Sequence, residues 1–201
     1  MWYRFFRGVF RIILKLFFRL KVEGLENLPQ KSNFILIANH TSYLDPLVIL
    51  AGVPQKISCI ALRGLYRIFW LKWFLQKMSA FPSGSSSEKA VSLLMQNKNV
   101  GLFPEGGVSR DGSLREFRSG AALLAIKTGR PIVPCAIFGT HAALPKGAVL
   151  PKFSAITIKI SKPIYLLKEF TDIIDDVYLQ DGIFRVRNII MELLNKPAAD
   201  R

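Results

Sequence analysis

The sequence predicts a single α/β domain with a largely parallel central sheet flanked by helices. Two observations indicate this fold. Apolar runs without polar alternation, such as 34–38, 100–103 and 131–138, are typical of strands buried on both faces of a parallel sheet. Segments of helical character separate these runs, which is the alternation expected of βαβ units. A chain of 201 residues is long enough to bury one sizeable core.

The elements follow from local signals in chain order. Asp45 before Pro46 is typical of a helix start, the residues Ser85-Ser86-Ser87-Glu88 have capping-box spacing, and Gly129 is expected to end a helix. We expect a helix over 2–21, a short strand or turn over 22–29, strands over 34–38, 56–61, 100–103, 131–138 and 155–160, and helices from 46 to 50, 65–75, 88–96, 120–128 and near 183–194.

The composition combines strong basicity with high apolarity. Lys and Arg number 28 against 14 Asp and Glu, for a formal net charge of +14, and half of the residues are hydrophobic. This combination favours an anionic partner that also has an apolar phase, namely a membrane lipid surface. A nucleic-acid partner is not expected, because no nucleic-acid recognition motif accompanies the charge.

The two cysteines, Cys59 and Cys135, each lie in an apolar stretch and are far apart. No spacing typical of a metal site is present, so we expect no metal and read both as buried thiols in a reducing compartment. No cleavable signal peptide is expected, because charges interrupt the N-terminal apolar run.

The N-terminal segment predicts a helix at a membrane interface. Its basic residues are spaced by three or four, in a stripe roughly 120° wide on a helix. Burying such charges in a bilayer would cost about 2.5–3.5 kcal/mol each, whereas lipid phosphates at the surface stabilise each by about 1 kcal/mol. We therefore assign 1–21 to an interfacial helix and 22–201 to the remaining domain; the alternative is a core-packing helix with a solvated basic face. The predicted membrane-binding residues are Arg4, Arg7, Arg11, Lys15 and Arg19.

A second basic and aromatic stretch covers residues 65–75. Its tryptophans suit the headgroup level of a membrane, but packing against the sheet explains them equally well, so both alternatives stay open.

Two candidate site residues follow directly after buried strands. His40 lies five positions before Asp45, and Glu105 lies in a Pro/Gly turn after the run 100–103. The ends of parallel strands are where α/β proteins keep their chemistry. His40 can act as a general base if Asp45 orients its ring. The alternatives are a capping aspartate beside a loop histidine, and His141 as the base.

The motifs together resemble the glycerolipid acyltransferases related to 1-acylglycerol-3-phosphate acyltransferase. Residues 39–46 (Asn-His-Thr-Ser-Tyr-Leu-Asp-Pro) resemble the first motif of that family, 103–106 (Phe-Pro-Glu-Gly) the third, and 131–134 (Pro-Ile-Val-Pro) the fourth. Four further segments fit in the right order: 22–29, 109–112, 117–122 and 144–147.

The resemblance implies transfer of an acyl group from acyl-CoA or acyl-carrier protein to the free hydroxyl of a lysolipid. His40 would be the general base and Asp45 its partner, while Glu105, Gly106 and Gly107 would hold the acceptor. No metal or bound cofactor is implied, because the thioester is already activated. The resemblance also implies a peripheral protein at the cytoplasmic face of the cell membrane.

Two departures from the family pattern concern the acceptor. The second motif usually ends in arginine, but residues 80–85 contain none, and the third continues Gly106-Gly107-Val108-Ser109 in place of Gly-Thr-Arg-Ser. Three alternatives follow. The helix start at Ser85 to Ser87 binds the phosphate; Arg110, Arg115 or Arg118 supplies the charge; or the acceptor is another lysophospholipid or hydroxylated lipid. A catalytically degenerate lipid-binding protein of the same fold is the alternative to an enzyme.

Overall fold

The computed structural model describes residues 1–84, 86–166 and 176–196. Within these ranges one seven-stranded sheet has the strand order β1-β7-β6-β2-β5-β3-β4. The strands are β1 (Lys21–Glu23), β2 (Ile35–Ala38), β3 (Ile57–Ala61), β4 (Phe81–Pro82), β5 (Asn99–Leu102), β6 (Ile132–Phe138) and β7 (Thr157–Ile160). Neighbouring strands pair in parallel except β6 and β7. The predicted α/β fold with a largely parallel sheet is confirmed.

Helices cover both faces of the sheet. They are α1 (Trp2–Phe18), α2 (Asp45–Gly52), α3 (Phe69–Lys77), α4 (Ser86–Met95), α5 (Gly120–Thr128), α6 (Thr140–Ala143) and α7 (Asp176–Asn195). Along β2, Ile35 and Ile37 face the core shared with α4, α5 and α7, whereas Leu36 and Ala38 face the core shared with α1 and α2. This alternation explains the continuous apolar run of β2, since successive side chains point to opposite faces.

Helix α1 packs into the domain along one side. Leu14 and Phe18 belong to the core beside α2, and the hydroxyl of the buried Tyr3 accepts a hydrogen bond from the backbone N–H of Ile57 at 3.0 Å. The helix ends at Phe18, because Arg19 takes a left-handed conformation with φ of 48°. The expectation of a helix through residue 21 was therefore wrong, and Arg19 lies outside the helical stripe. Among the described residues no helix is both long and apolar enough to cross a membrane.

Other boundaries differ from the sequence expectations by a few residues. Helix α2 begins at Asp45 with Leu44 as its N-cap, so Asp45 is the first helical residue and does not cap the backbone in the expected position. Helix α4 begins at Ser86, two residues early, and the predicted cap Ser85 lies outside the described residues. Helix α7 begins at Asp176, well before residue 183.

Three features were not predicted. The segment Arg63–Arg67 forms a 3₁₀ turn before α3, so the expected helix over 65–75 is divided. Strand β4 and helix α6 have two and four residues, which is too short for a periodic pattern.

We expect Gly139→Ala to destabilise the protein more than Gly129→Ala. Both glycines have left-handed φ, 78° and 64°, where an L-residue costs about 1–2 kcal/mol. A Cβ at Gly139 would also clash with the backbone carbonyl of Ala155, whereas a Cβ at Gly129 would meet nothing within 4 Å. Urea unfolding measures the free energy of unfolding of the two variants. Equal decreases would show that the backbone at Ala155 moves away from a Cβ at Gly139 without a measurable cost.

Candidate active site

The candidate site lies where three neighbouring strands end. Strand β2 lies between β5 and β6 and runs parallel to both, so its carboxyl end meets theirs at one edge of the sheet. His40 follows β2, Glu105 follows β5, and His141 lies in α6 after β6. The Asn39 side chain continues the pairing beyond the end of β2, because its amide donates to the Ile137 carbonyl at 3.0 Å and its oxygen accepts from the Ile137 N–H at 2.7 Å.

His40 and Asp45 form a direct side-chain pair. The distance from His40 Nδ1 to Asp45 Oδ2 is 2.9 Å. The same oxygen accepts the backbone N–H groups of Thr41 at 2.8 Å and Ser42 at 2.9 Å. The Asp45 side chain is fully buried and that of His40 is 14% exposed. With Nδ1 directed to a carboxylate, Nε2 is the ring nitrogen left to exchange a proton.

Backbone contacts and a ring contact hold His40 from three more directions. Its N–H donates to Glu105 Oε1 at 2.7 Å, and its carbonyl accepts the Ser109 N–H at 2.8 Å. Its imidazole stacks on Phe103, with ring centroids 4.1 Å apart and planes 21° apart. The base candidate is therefore fixed in place before any ligand binds, which is what proton transfer at a defined atom requires.

The Glu105 carboxylate connects two loops. Glu105 is 2% exposed, and its second carboxylate oxygen, Oε2, accepts the Arg115 N–H at 3.2 Å. Burial raises the pKa of this carboxyl above its usual value, while the two backbone hydrogen bonds and the nearby His40 and Arg115 charges act in the opposite direction. Both oxygens thus bind backbone inside the protein, and direct contact of Glu105 with substrate stays a prediction.

Two guanidinium groups lie over the Gly106–Gly107 turn. From the position that a Cβ would take at Gly106, Arg118 atoms Cζ, Nε and Nη2 lie 2.7, 2.8 and 3.0 Å away. Arg115 Nη1 donates to the Gly107 carbonyl at 3.4 Å. Gly106 has φ of 71°, so both its conformation and the neighbouring guanidinium favour glycine.

The remaining predicted site residues are placed differently. Ser87 is exposed and lines a groove of about 390 Å³ between α4 and α5, together with Gly120 and Lys127. Arg110 is exposed, and within the described ranges no hydrogen bond or ion pair ties its side chain to His40 or Glu105. Ser85 lies outside the described residues. Their roles in substrate binding stay predictions.

Sequence reasoning missed the contacts that hold the loop after His40. His141 Nδ1 lies 3.3 Å from the Thr41 carbonyl, and the Thr41 and Thr140 hydroxyls are 3.1 Å apart. Ser42 Oγ donates to the Leu144 carbonyl at 2.7 Å. These partners are about a hundred positions apart in sequence, so no local spacing could reveal them. His141 is thus placed as a neighbour of the loop that carries His40.

A side-chain network also shapes the loop after Glu105. Asp111 Oδ1 accepts hydrogen bonds from Ser113 Oγ at 2.7 Å, Ser109 Oγ at 2.9 Å and the Ser113 N–H at 3.0 Å. These bonds, those of Ser113 first, lower the pKa of the Asp111 carboxyl well below its usual range. In the part of the chain that the structure describes, no three His, Cys, Asp or Glu residues are grouped to hold a metal ion.

These features define an α/β protein with a histidine–aspartate pair at the carboxyl ends of its strands. Comparison with known proteins gives its family: residues 19–138 match the model of the Acyltransferase family. A 1-acyl-sn-glycerol-3-phosphate acyltransferase of Bacillus subtilis is 31% identical over 170 residues, 81% of this chain and 82% of that protein. The chain belongs to the Acyltransferase family.

A second sequence relative and a solved structure are also named as acyltransferases. A 1-acyl-sn-glycerol-3-phosphate acyltransferase of Borreliella burgdorferi is 28% identical over 158 residues, covering 75% of this chain. This chain spans 63% of the length of that relative, which is less than two thirds. The crystal structure of the Thermotoga maritima 1-acyl-sn-glycerophosphate acyltransferase PlsC superposes with a TM-score of 0.81 and 26% identity, over 98% of this chain and 81% of that one.

We expect both cysteines to be unreactive in the folded protein at pH 8. Cys135 is buried as expected, whereas Cys59 is only half-buried, so the expectation of two buried thiols was wrong for Cys59. Desolvation of the thiol raises the pKa of Cys59 to about 12, and burial together with the Asp45 charge raises the pKa of Cys135. Because the thiolate is the reactive form, a pKa near 12 leaves about 10⁻⁴ of the Cys59 thiol ionised at pH 8, and reactivity rises only as the pH approaches 12. Labelling with a thiol-specific disulfide reagent before and after guanidinium unfolding measures this. A native thiol that reacts as fast as free cysteine would contradict it.

Proposed function

We propose that the protein transfers an acyl chain from a thioester to the free hydroxyl of a lysolipid of the 1-acylglycerol-3-phosphate type. The observation that carries the proposal is the 2.9 Å contact between His40 and Asp45 at the carboxyl edge of the sheet. Membership of the Acyltransferase family and the similarity to proteins named 1-acyl-sn-glycerol-3-phosphate acyltransferase support the same reaction. The donor is acyl-CoA or acyl-carrier protein, both of which carry an activated acyl group as a thioester.

The geometry suits direct attack by the acceptor hydroxyl. His40 Nε2 takes the hydroxyl proton while the oxygen attacks the thioester carbonyl, and a tetrahedral intermediate forms. The carbon–sulfur bond then breaks, and the imidazolium returns the proton to the leaving thiolate, so the products are the ester and the free thiol. Asp45 holds the tautomer with Nδ1 protonated and stabilises the imidazolium, a role supported by its two backbone hydrogen bonds.

We expect His40→Ala to lower kcat by ~10²–10⁴-fold, the range that general-base catalysis supplies. Asp45→Asn should lower kcat as well, because the amide still orients the ring but no longer stabilises its positive charge. Thiol release from palmitoyl-CoA in mixed micelles with lysophosphatidic acid measures both variants.

The matched control is His141→Asn, which keeps a donor for the Thr41 carbonyl. We expect this variant to retain activity within about tenfold, since His141 acts on the loop and not on the hydroxyl. Urea midpoints check that all three variants are folded. Retention of activity in His40→Ala together with its loss in His141→Asn would transfer the general-base role to His141.

We propose further that the protein works on a membrane surface, which an exposed apolar face of α1 supports. At 100° per residue, Phe5, Val9, Ile12 and Leu16 fall within about 60° of one another, and each is more than a third exposed. Arg4, Arg11 and Lys15 form an exposed stripe about 110° away, between this apolar face and the buried one.

Two other segments extend the apolar face. Trp2 packs edge-on against Trp73 of α3, with centroids 5.5 Å apart, and Phe17 stacks on Phe153 at 6.0 Å. The exposed members of these segments are Phe69, Trp70 and Trp73 in α3 and Val149, Leu150 and Phe153 in the loop before β7. An exposed surface built from several large apolar side chains is typical of contact with lipid or with another protein. Nearby basic residues favour anionic lipid, at about 1 kcal/mol each.

Two of the predicted membrane-binding residues contribute less to this surface. Arg7 lies on the packed side of α1, and its Nη1 donates to the Pro54 carbonyl at 3.0 Å. Arg19 follows the end of the helix. The two free cysteines suit a reducing compartment, so the proposal places the surface on the cytoplasmic face of the membrane.

We expect Ile12→Gln with Leu16→Gln to weaken vesicle binding by about 10²-fold, because each apolar side chain contributes about 1.5 kcal/mol or more when buried. Flotation with vesicles of phosphatidylglycerol and phosphatidylcholine measures this. The control Phe184→Gln removes a similarly exposed apolar side chain from α7 on the other face of the sheet. Equal flotation of all three proteins would remove α1 from the membrane contact.

A further inference from the structure

The two arginines over the Gly106–Gly107 turn occupy the place where the sequence lacks a cation. The third motif has Val108 where the family pattern has arginine, and Val108 is 6% exposed, so its side chain faces the interior. Arg118 instead covers Gly106, with guanidinium atoms 2.7–3.0 Å from the position of a Cβ. Arg115 Nη1 lies 3.8 Å from the equivalent position at Gly107. Positive charge thus reaches the same turn from a later segment of the chain.

Backbone hydrogen bonds fix this segment to the candidate base. The Arg118 N–H donates to the Pro104 carbonyl at 3.0 Å, and the Arg115 N–H donates to Glu105 Oε2 at 3.2 Å. The other oxygen of Glu105 accepts the His40 N–H at 2.7 Å. One carboxylate therefore bridges the backbone that carries the two guanidinium groups and the backbone that carries His40.

No ion pair among the described residues neutralises the charges over the turn. Within the described residues neither Arg115 nor Arg118 forms an ion pair with a carboxylate. The nearby Glu105 binds backbone N–H groups, and Asp111 binds Ser109 and Ser113. A third guanidinium adds to the repulsion, because Arg187 Nε donates to the Arg115 carbonyl at 3.2 Å. Exposed guanidinium groups over neighbouring residues of one turn favour a bound anion with several oxygens.

We propose that Arg115 and Arg118 bind the phosphate of the acceptor lysolipid and replace the arginine that the third motif lacks. The inference rests on the proposed acyl transfer, since it names the acceptor of that same site. A bound phosphate could belong to either of two substrates, the headgroup of the acceptor or the CoA of the donor. We assign the acceptor, because the two arginines are bound to the turn next to His40, where the acceptor hydroxyl must lie.

The test compares Arg115→Gln, Arg118→Gln and the double variant by steady-state kinetics. We expect KM for lysophosphatidic acid to rise about tenfold to hundredfold in each single variant, since a charge-assisted hydrogen bond is lost, while kcat changes little. KM for monoacylglycerol, which lacks phosphate, should stay unchanged. Arg118→Lys should restore part of the loss, because lysine keeps the charge without the paired donors.

A second set of measurements varies the acyl donor and compares palmitoyl-CoA with palmitoyl-pantetheine, a thioester without phosphate. We expect the variants to leave KM for palmitoyl-CoA unchanged; a rise that disappears with palmitoyl-pantetheine would assign the arginines to the donor and overturn the proposal. The control Arg185→Gln removes the same charge from an exposed position on α7, where Arg185 pairs with Asp181.

A binding measurement separates this inference from the proposed function. Calorimetry with a soluble short-chain lysophosphatidic acid uses the wild type and Arg118→Gln. Binding that weakens at least about tenfold in the variant, without any acyl transfer by the wild type, would retain the phosphate site and reject the enzyme. Acyl transfer to lysophosphatidic acid with unchanged KM and unchanged binding in the variants would reject the phosphate site and retain the enzyme. Failure of the wild type to bind this ligand would also overturn the inference.

Discussion

The rest of the site depends on one buried carboxylate, that of Glu105. A carboxylate is costly to remove from water, and here burial raises its pKa, so two backbone N–H groups must compensate. Those two donors belong to His40 and Arg115, which lie in separate loops. The pairing of β2 with β5 brings these loops together in the first place. The buried carboxylate thus couples the position of the candidate base, His40, to that of the guanidinium groups, and neither loop can shift without leaving a donor or acceptor unpaired.

Much of the fold could be predicted from the sequence, because it is encoded locally. The buried strands are continuous apolar runs, and α5 was predicted with its observed bounds because its apolar pattern ends at a left-handed glycine, Gly129. The pairing of His40 with Asp45 also lies within one turn and the start of one helix. The parts that were missed are either too short to show a period, as in β4 and α6, or depend on partners distant in sequence. His141 next to Thr41 is of the second kind.

Helix α1 shows that the spacing of basic residues predicts a basic surface better than it predicts which of those residues lie on it. The spacing of basic residues indicated one stripe of five, but a helix has only a limited arc free of its neighbours. Tyr3, Leu14 and Phe18 use one side for packing, and Arg7 falls on that side. Amphipathic helices usually divide into two faces, whereas α1 has three: a packed face, a basic stripe and an exposed apolar face. Packing among the described residues does not explain the third face, and the proposed contact with lipid rests on it.

The position of the cations bears on the choice of acceptor. An arginine within the Gly-Gly turn would extend from the turn itself, whereas Arg115 and Arg118 approach it from outside and cover it. Two guanidinium groups present more donors than one, and a phosphate monoester offers three oxygens and about two charges to meet them. A phosphodiester offers fewer free oxygens and one charge, so it satisfies such a pair less completely. Loss of the motif arginines therefore does not by itself indicate a different acceptor, since Arg115 and Arg118 bring positive charge to the same turn from a later segment of the chain.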